Sequence, residues 1–194
     1  MTLNFTNSAL VIIDVQNDFC PGGALAVEKG DGVIGPLNRL ASIFAVAGGR
    51  VIATQDWHPA GHASFGLWPP HCVQGSGGAD FHIALKLEPV NLILRKGFHK
   101  DLDSYSAFFE NDRTTSTGLD GYLKALAIGT LVMGGLATDY CVLASAMDAV
   151  ALGYRTIVLS DAVRGVNSPV GSVEKALKAL EEAGVSFATS EEIQ

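Results

Sequence analysis

The chain has 194 residues, 48% of them hydrophobic and 17% charged, which fits one domain with a sizeable core and excludes intrinsic disorder. Lys and Arg number 13 against 20 Asp and Glu, a formal charge of −7 without any basic run, so the surface lacks the electrostatic source for tracking nucleic acid or an anionic membrane. Small molecules remain as the expected ligands.

In chain order, short β-branched apolar runs alternate with segments of helical period. A run at 10–13 ends in Asp14 and the loop 15–19, and a helix is expected over 33–47, closed by Gly48 and Gly49. A strand at 51–53 leads into an irregular stretch, 55–89, and a strand at 92–94 leads through Lys96 into a second, 97–118; both are rich in Gly, Pro, His and aromatic residues. The rest alternates helix 119–128 before Gly129, strand 131–133, helix 140–152 before Gly153, strand 156–159, helix 170–183 before Gly184, and strand 185–187. Near-continuous apolar runs read as strands buried on both faces, and the closing glycines as caps that require positive φ. The pattern predicts an α/β fold: a single α/β/α three-layer domain over 1–194 with a central, mostly parallel sheet of about six strands.

The cysteines Cys20, Cys72 and Cys141 show no CxxC spacing, which disfavours a disulfide framework. With a polar start that has no basic leader, and no apolar run near the roughly 20 residues that span a bilayer, a cytoplasmic protein without membrane contact is expected.

In an open parallel sheet ligands bind at the carboxyl ends of the strands, and four strands here run directly into reactive residues. Asp14 sits where a buried strand meets a loop, and burial there raises a carboxyl pKa toward proton transfer. Lys96 stands at the same edge, where a structural ion pair between strand ends is its simplest role. Cys141 follows Gly134-Gly-Leu-Ala-Thr-Asp-Tyr in a strand-to-helix turn, with Thr138 or Asp139 placed to cap the helix. A thiol in that first turn meets the positive end of the helix dipole, which favours the thiolate and a nucleophilic role over simple packing.

The sequence Asp56-Trp-His58-Pro-Ala-Gly-His62, followed by His71, gathers imidazole and carboxylate in one loop. Such donors suit Zn²⁺, Fe²⁺ or Mn²⁺. His82 and His99 have no such company and read as structural or surface residues. Aromatic residues Phe19, Trp57, Phe65, Trp68, Tyr105, Phe108 and Tyr140 crowd the same loops, and a flat aromatic ligand needs such walls. A dinucleotide site is disfavoured because G-x-G-x-x-G is missing after the first strand.

Six segments together, Ile13-Asp-Val-Gln-Asn-Asp-Phe-Cys-Pro-Gly-Gly23, Thr54-Gln-Asp-Trp-His-Pro59, Trp68-Pro-Pro-His-Cys-Val-Gln-Gly75, Arg95-Lys-Gly97, Asp103-Ser-Tyr-Ser-Ala-Phe108 and Gly135-Leu-Ala-Thr-Asp-Tyr-Cys-Val142, resemble the nicotinamidases (pyrazinamidases) of the isochorismatase-like cysteine hydrolases. The resemblance implies a Rossmann-like fold, Cys141 as nucleophile, Asp14 as general acid and base, and Lys96 as the cation beside them. It also implies an oxyanion hole from the backbone of Ala137 and Cys141, with a cis peptide between Leu136 and Ala137. Asp56, His58 and His71 would hold one divalent metal, zinc first, with His62 as a fourth ligand; Phe19, Trp68, Tyr105, Leu136 and Tyr140 would line the substrate. The activity implied is deamidation of nicotinamide, and of pyrazinamide-like aromatic amides, in NAD salvage, by a protein that admits a homo-oligomer. The alternative is a metal-free amidohydrolase of the same superfamily acting on a carbamoyl or ureido substrate; a metal-bound water as nucleophile, with Cys141 as packing, is a further rival.

Overall fold

In a computed structural model that describes residues 1–194, the strands are β1 (Ser8–Ile13), β2 (Arg50–Asp56), β3 (Leu92–Lys96), β4 (Thr130–Leu136), β5 (Arg155–Arg164) and β6 (Ser186–Ala188). The helices are α1 (Ile34–Val46), α2 (Leu119–Ala125), α3 (Leu143–Ala151) and α4 (Ser172–Glu182). One sheet holds all six strands in the order β3-β2-β1-β4-β5-β6, every pairing parallel. The chain reverses direction across the sheet between β1 and β4, and the two strand ends there carry Asp14 and the Cys141 turn.

Side chains alternate between two cores, as the period of a strand requires. Leu10, Ile12, Val51, Ala53 and Val132 pack with Leu37, Leu40, Ala41 and Phe44 of α1. On the opposite face Ala9, Val11, Ile13, Ile52, Leu131 and Met133 pack with Leu119 and Leu123 of α2, Ala146 and Ala149 of α3 and Leu180 of α4. A single helix does not cover the first face. Irregular backbone completes that layer, through Val15, Phe19, Cys20 and Val27 on one segment and Cys72, Ala79 and Leu85 on the other.

Burial on both faces holds for β1 and β4 throughout and for β2 beyond Arg50. It fails for β3, where burial alternates until Lys96 and Ile93 is 46% exposed, because β3 is an edge strand with no helix over its outer side. At the end of β4 two glycines are sterically required: a Cβ on Gly134 would sit 2.9 Å from Ala162 O and Leu37 Cδ2, and one on Gly135 only 2.0 Å from Ile13 O. No helix is long and apolar enough to cross a membrane.

Helix ends follow the expected glycines at Gly48, Gly153 and Gly184, with φ of 81°, 90° and 90°. After α2 the left-handed residue is instead Ala127, at φ 54°, and at Gly129 a Cβ would lie 2.8 Å from Asn7 Oδ1, so the Asn7 amide would have to shift. Ala127→Gly is therefore expected to raise the unfolding free energy by about 0.5–1 kcal/mol by relieving left-handed strain. Gly129→Ala should lower it, and chemical denaturation of the two variants checks both signs.

Candidate active site

Parallel register brings three charged residues to one point. Asp56 and Lys96 end paired strands in direct register, and Asp14 follows β1 next to them in a left-handed conformation, φ 50°, that aspartate tolerates better than most residues. Lys96 has no exposed surface. Its ammonium lies 3.0 Å from Asp14 Oδ2, donates to Asp56 Oδ1 and to the Ser104 carbonyl at 2.9 Å, and approaches Cys141 Sγ at 3.6 Å. The Thr54 hydroxyl donates to Asp14 Oδ1 at 2.5 Å and accepts from Asp14 N at 3.1 Å, fixing the carboxylate plane.

Environment separates the two carboxylates. Burial pushes Asp14 upward more strongly than Lys96 pulls it down, with Asp56 adding to the rise, so Asp14 is a stronger base than an ordinary aspartate. Burial works against ionisation of Asp56 too, but there Lys96 and His58 outweigh it and hold the carboxyl well below the usual range. Lys96 stays cationic: burial opposes its charge, and Asp14 and Asp56 more than offset that.

Cys141 is reached through a cis peptide between Leu136 and Ala137 and a single π-helical turn, Thr138–Val142, that leads into α3. Neither Thr138 nor Asp139 caps the helix as the sequence suggested; the cap position falls on Ala137, whose carbonyl accepts from Tyr140 N and Val142 N, each at 3.1 Å. The Asp139 carboxylate is instead turned onto the segment after β5, accepting from Val166 N and Asn167 N at 2.9 Å each and from Ser172 Oγ at 2.5 Å. The expectation of a favoured thiolate also fails. Burial, reinforced by Asp14 and Asp56 and only partly countered by Lys96, pushes the Cys141 thiol well above its ordinary value. The resting group is a thiol beside a base, their donor atoms within 4.8 Å.

One donor atom each from Asp56, His58 and His71 lies within 4.8 Å of the other two, all three residues buried. His58 Nδ1 bonds the Gly97 carbonyl at 2.8 Å and His71 Nδ1 that of Pro69 at 2.8 Å, which orients each Nε2 as a ligand in the way metal-binding histidines are held. His58 Nε2 is buried without a hydrogen-bond partner, 3.6 Å from Asp56 Oδ2. Although burial disfavours charge on His58, the Asp56 carboxylate overrides it and raises the pKa, so positive charge is welcome there. An orphaned imidazole nitrogen, a carboxylate held ionised and a third buried imidazole fit a divalent metal. His62 does not join this trio. It stacks on His58 at 4.1 Å between ring centroids, with Nδ1 on Ser64 Oγ at 2.7 Å and Nε2 on the Leu102 carbonyl at 3.1 Å, and groups with His58 and Asp103 instead.

Above these residues opens a cavity of about 440 Å³, mouth included, lined by nine hydrophobic residues among twelve. Its depth is graded by burial: Phe19, Val27, Asp56, His71, Ala137 and Cys141 are buried, whereas Trp68, Tyr105 and Tyr140 at the rim are half-buried. Trp68 Nε1 donates to Tyr105 OH at 3.2 Å, and both rings meet Tyr140 edge-on at 5.1 and 5.6 Å. Leu136, expected at the substrate, does not line the cavity; it is fully buried in the core against the backbone at Gly30. Of the two lone histidines, His99 pairs with the buried Glu110 at 3.4 Å, and His82 Nδ1 accepts from Ala84 N at 3.2 Å.

The isochorismatase domain family matches residues 8–192. The chain belongs to that family. It is similar to the nicotinamidase of Acinetobacter baylyi, 42% identical over 96% of this chain and 94% of that protein. Among solved structures it resembles PnC1 from L. infantum in complex with nicotinate, with a TM-score of 0.93 and 37% identity over 100% of this chain and 98% of that one. It also resembles the pyrazinamidase of Pyrococcus horikoshii in complex with zinc, with a TM-score of 0.85 and 35% identity over 94% and 99%.

Sequence reasoning gave no role to Leu25, Val27, Asp103 and Val166 on the cavity wall, nor to Gln16. That side chain, fully buried, donates to the Asp56 and Ala79 carbonyls at 2.8 Å each and accepts from Asp56 N at 2.8 Å. It replaces a missing strand beside Asp56. Its signal was a polar residue two positions after Asp14, just past the apolar run 9–13, which spacing alone does not interpret.

Asp139 connects the nucleophile turn to the Val166 wall, and Asp139→Ala removes a buried acceptor from three donors. Each hydrogen bond to a charged group contributes about 1.5–3 kcal/mol, so a loss of roughly 3 kcal/mol in stability is expected after relaxation. Faster amide exchange at Val166 and Asn167 than in the parent protein is the local check.

Proposed function

We propose that the protein hydrolyses nicotinamide, and pyrazinamide-like aromatic amides, to the carboxylate and ammonia through a thioester on Cys141. The observation that carries this reading is the Cys141, Asp14 and Lys96 cluster at the floor of an aromatic-walled cavity whose flank presents Asp56 and His71. The nicotinamidase relative and the nicotinate-bound neighbour support it.

Asp14 takes the thiol proton, and burial makes it basic enough for the transfer. Sulfur then attacks the carboxamide carbon, and the developing oxyanion is held by the backbone N–H groups of Ala137 and Cys141, each contributing about 3 kcal/mol if it behaves as in other acyl-transfer sites. The proton on Asp14 passes to the departing nitrogen, releasing ammonia and leaving the thioester. Water next gives a proton to Asp14 while its oxygen attacks the thioester, and collapse expels the sulfur, which regains that proton. Lys96 stays charged throughout and balances the negative charge as it moves between Asp14 and Cys141.

Asp56, His58 and His71 would hold a divalent metal, zinc first, with His62 as a fourth ligand if it leaves Leu102. When bound, that ion supplies an electrophilic anchor for the pyridine nitrogen. Phe19 and Trp68 flank the ring, with Tyr105 and Tyr140 closing over it. The reaction would return nicotinamide to NAD synthesis in the cytoplasm.

Ammonia release over a panel of aromatic, carbamoyl and ureido amides, paired with elemental analysis of the purified protein, tests the proposal. Nicotinamide turnover with a stoichiometric metal supports it; carbamoyl or ureido turnover without metal points to a metal-free amidohydrolase. Cys141→Ala is expected to lower kcat by at least about 10⁴-fold with the fold intact, as removal of a nucleophile does elsewhere, and full retained activity would instead favour attack by metal-bound water. His71→Ala is expected to lower bound metal and raise KM for nicotinamide, a phenotype that chelation reproduces and a divalent ion reverses, while Cys141 remains alkylatable.

A further inference from the structure

The ammonium of Lys96 lies inside a cage of four acceptor atoms: Asp14 Oδ2 at 3.0 Å, Asp56 Oδ1, the Ser104 carbonyl at 2.9 Å and Cys141 Sγ at 3.6 Å. Without the lysine, that cage has the composition of a cation site. One donor atom each from Asp14, Asp56 and Cys141 lies within 4.8 Å of the other two, and all three residues are buried. Zinc bonds to oxygen and thiolate sulfur of about 2.0–2.3 Å would require each donor to close in by up to about an ångström, within the reach of side-chain adjustment. Asp14 Oδ2, wholly buried, has no aligned hydrogen-bond donor and lies 3.0 Å from this ammonium.

We propose that Lys96 is the resident cation of a second metal site, built by Asp14, Asp56, Cys141 and the Ser104 carbonyl, and that by filling it Lys96 keeps divalent ions off the nucleophile. The inference rests on the reading that Asp56, His58 and His71 hold a metal. Asp56 divides its oxygens between the two positions, Oδ1 toward Lys96 and Oδ2 toward His58. An ion bound by the histidines is thus one carboxylate away from a thiol, and thiolate is a preferred ligand for zinc and softer ions. Capture would release the thiol proton to solvent and form a metal–sulfur bond, removing the electron pair that attacks the amide. A tethered ammonium supplies positive charge at the same place but has no empty orbital to accept that pair.

The test uses metal-stripped protein titrated with cadmium, read without turnover. The parent chain is expected to take up a single equivalent, at the histidine site, without an ultraviolet thiolate-to-cadmium charge-transfer band. Lys96→Ala and the better-filling Lys96→Met are expected to take up a second equivalent with that band, and Cys141→Ser in either background to abolish both. Folded Lys96 variants with no second equivalent and no band overturn the proposal. In the parent protein, saturating cadmium should leave the rate of Cys141 alkylation unchanged, and protection of the thiol there overturns it even if no Lys96 variant folds. Failure of the functional reading looks different: no cadmium at the histidine site, or no ammonia from nicotinamide.

Discussion

A lysine ammonium with no exposed surface is the constraint on which the other parts of this site depend. Taking an isolated charge out of water costs far more than a domain's whole stability margin, so it persists only with partners at contact distance. Here the lysine and its two carboxylate partners stand at the ends of three neighbouring strands. Asp14 leaves β1, Asp56 ends β2 and Lys96 ends β3, so a slip of one residue in either pairing would strand the charge. The register that buries the apolar faces also neutralises the ion cluster, and fold and chemistry are selected together.

The same economy governs the irregular segments. The stretch that carries His58, His62 and His71 also covers the face that α1 leaves bare, with Cys72, Ala79 and Leu85 in the core. Backbone buried without regular structure must find hydrogen bonds individually, and acidic and amide side chains supply several of them. Gln16 serves Asp56 and Ala79, while Asp18 accepts from Ala24 N at 3.1 Å and from Cys72 N at 2.7 Å. Cys72 directly follows His71, so the Asp18 bond holds the histidine-bearing loop against the Phe19 loop. The histidine positions are therefore properties of a packed layer, and the segment is no free loop.

Much of this was legible in the sequence for a simple reason: parallel strands buried on both faces leave a strong apolar signal, and their carboxyl ends define where polar residues meet. Asp14, Lys96 and Cys141 could be gathered from that rule alone. The edge strand β3 was misread because its composition resembles a central strand, and only its place at the end of the order exposes Ile93. The cap at Asp139 was misread because a side chain suited to capping found three donors across the turn. The thiol of Cys141 differs from expectation for an energetic reason, since depth of burial outweighs both helix end and ammonium, and depth has no local signature. Leu25, Val27 and Val166 converge on the cavity from separate segments, with no spacing to connect them.

The rim of the cavity has a kinetic meaning. Trp68, Tyr105 and Tyr140 stand on three different segments, and Tyr140 is tied to the Ser168 carbonyl by its hydroxyl at 2.6 Å, leaving Trp68 and Tyr105 as the movable pair. Parting them breaks one neutral hydrogen bond, worth about 1 kcal/mol, and requires side-chain rotation, which is fast compared with hinge bending of a domain. The doorway is thus made of rings on a fixed frame. Opening this rim would take only rotamer changes, with the buried charges beneath left in place.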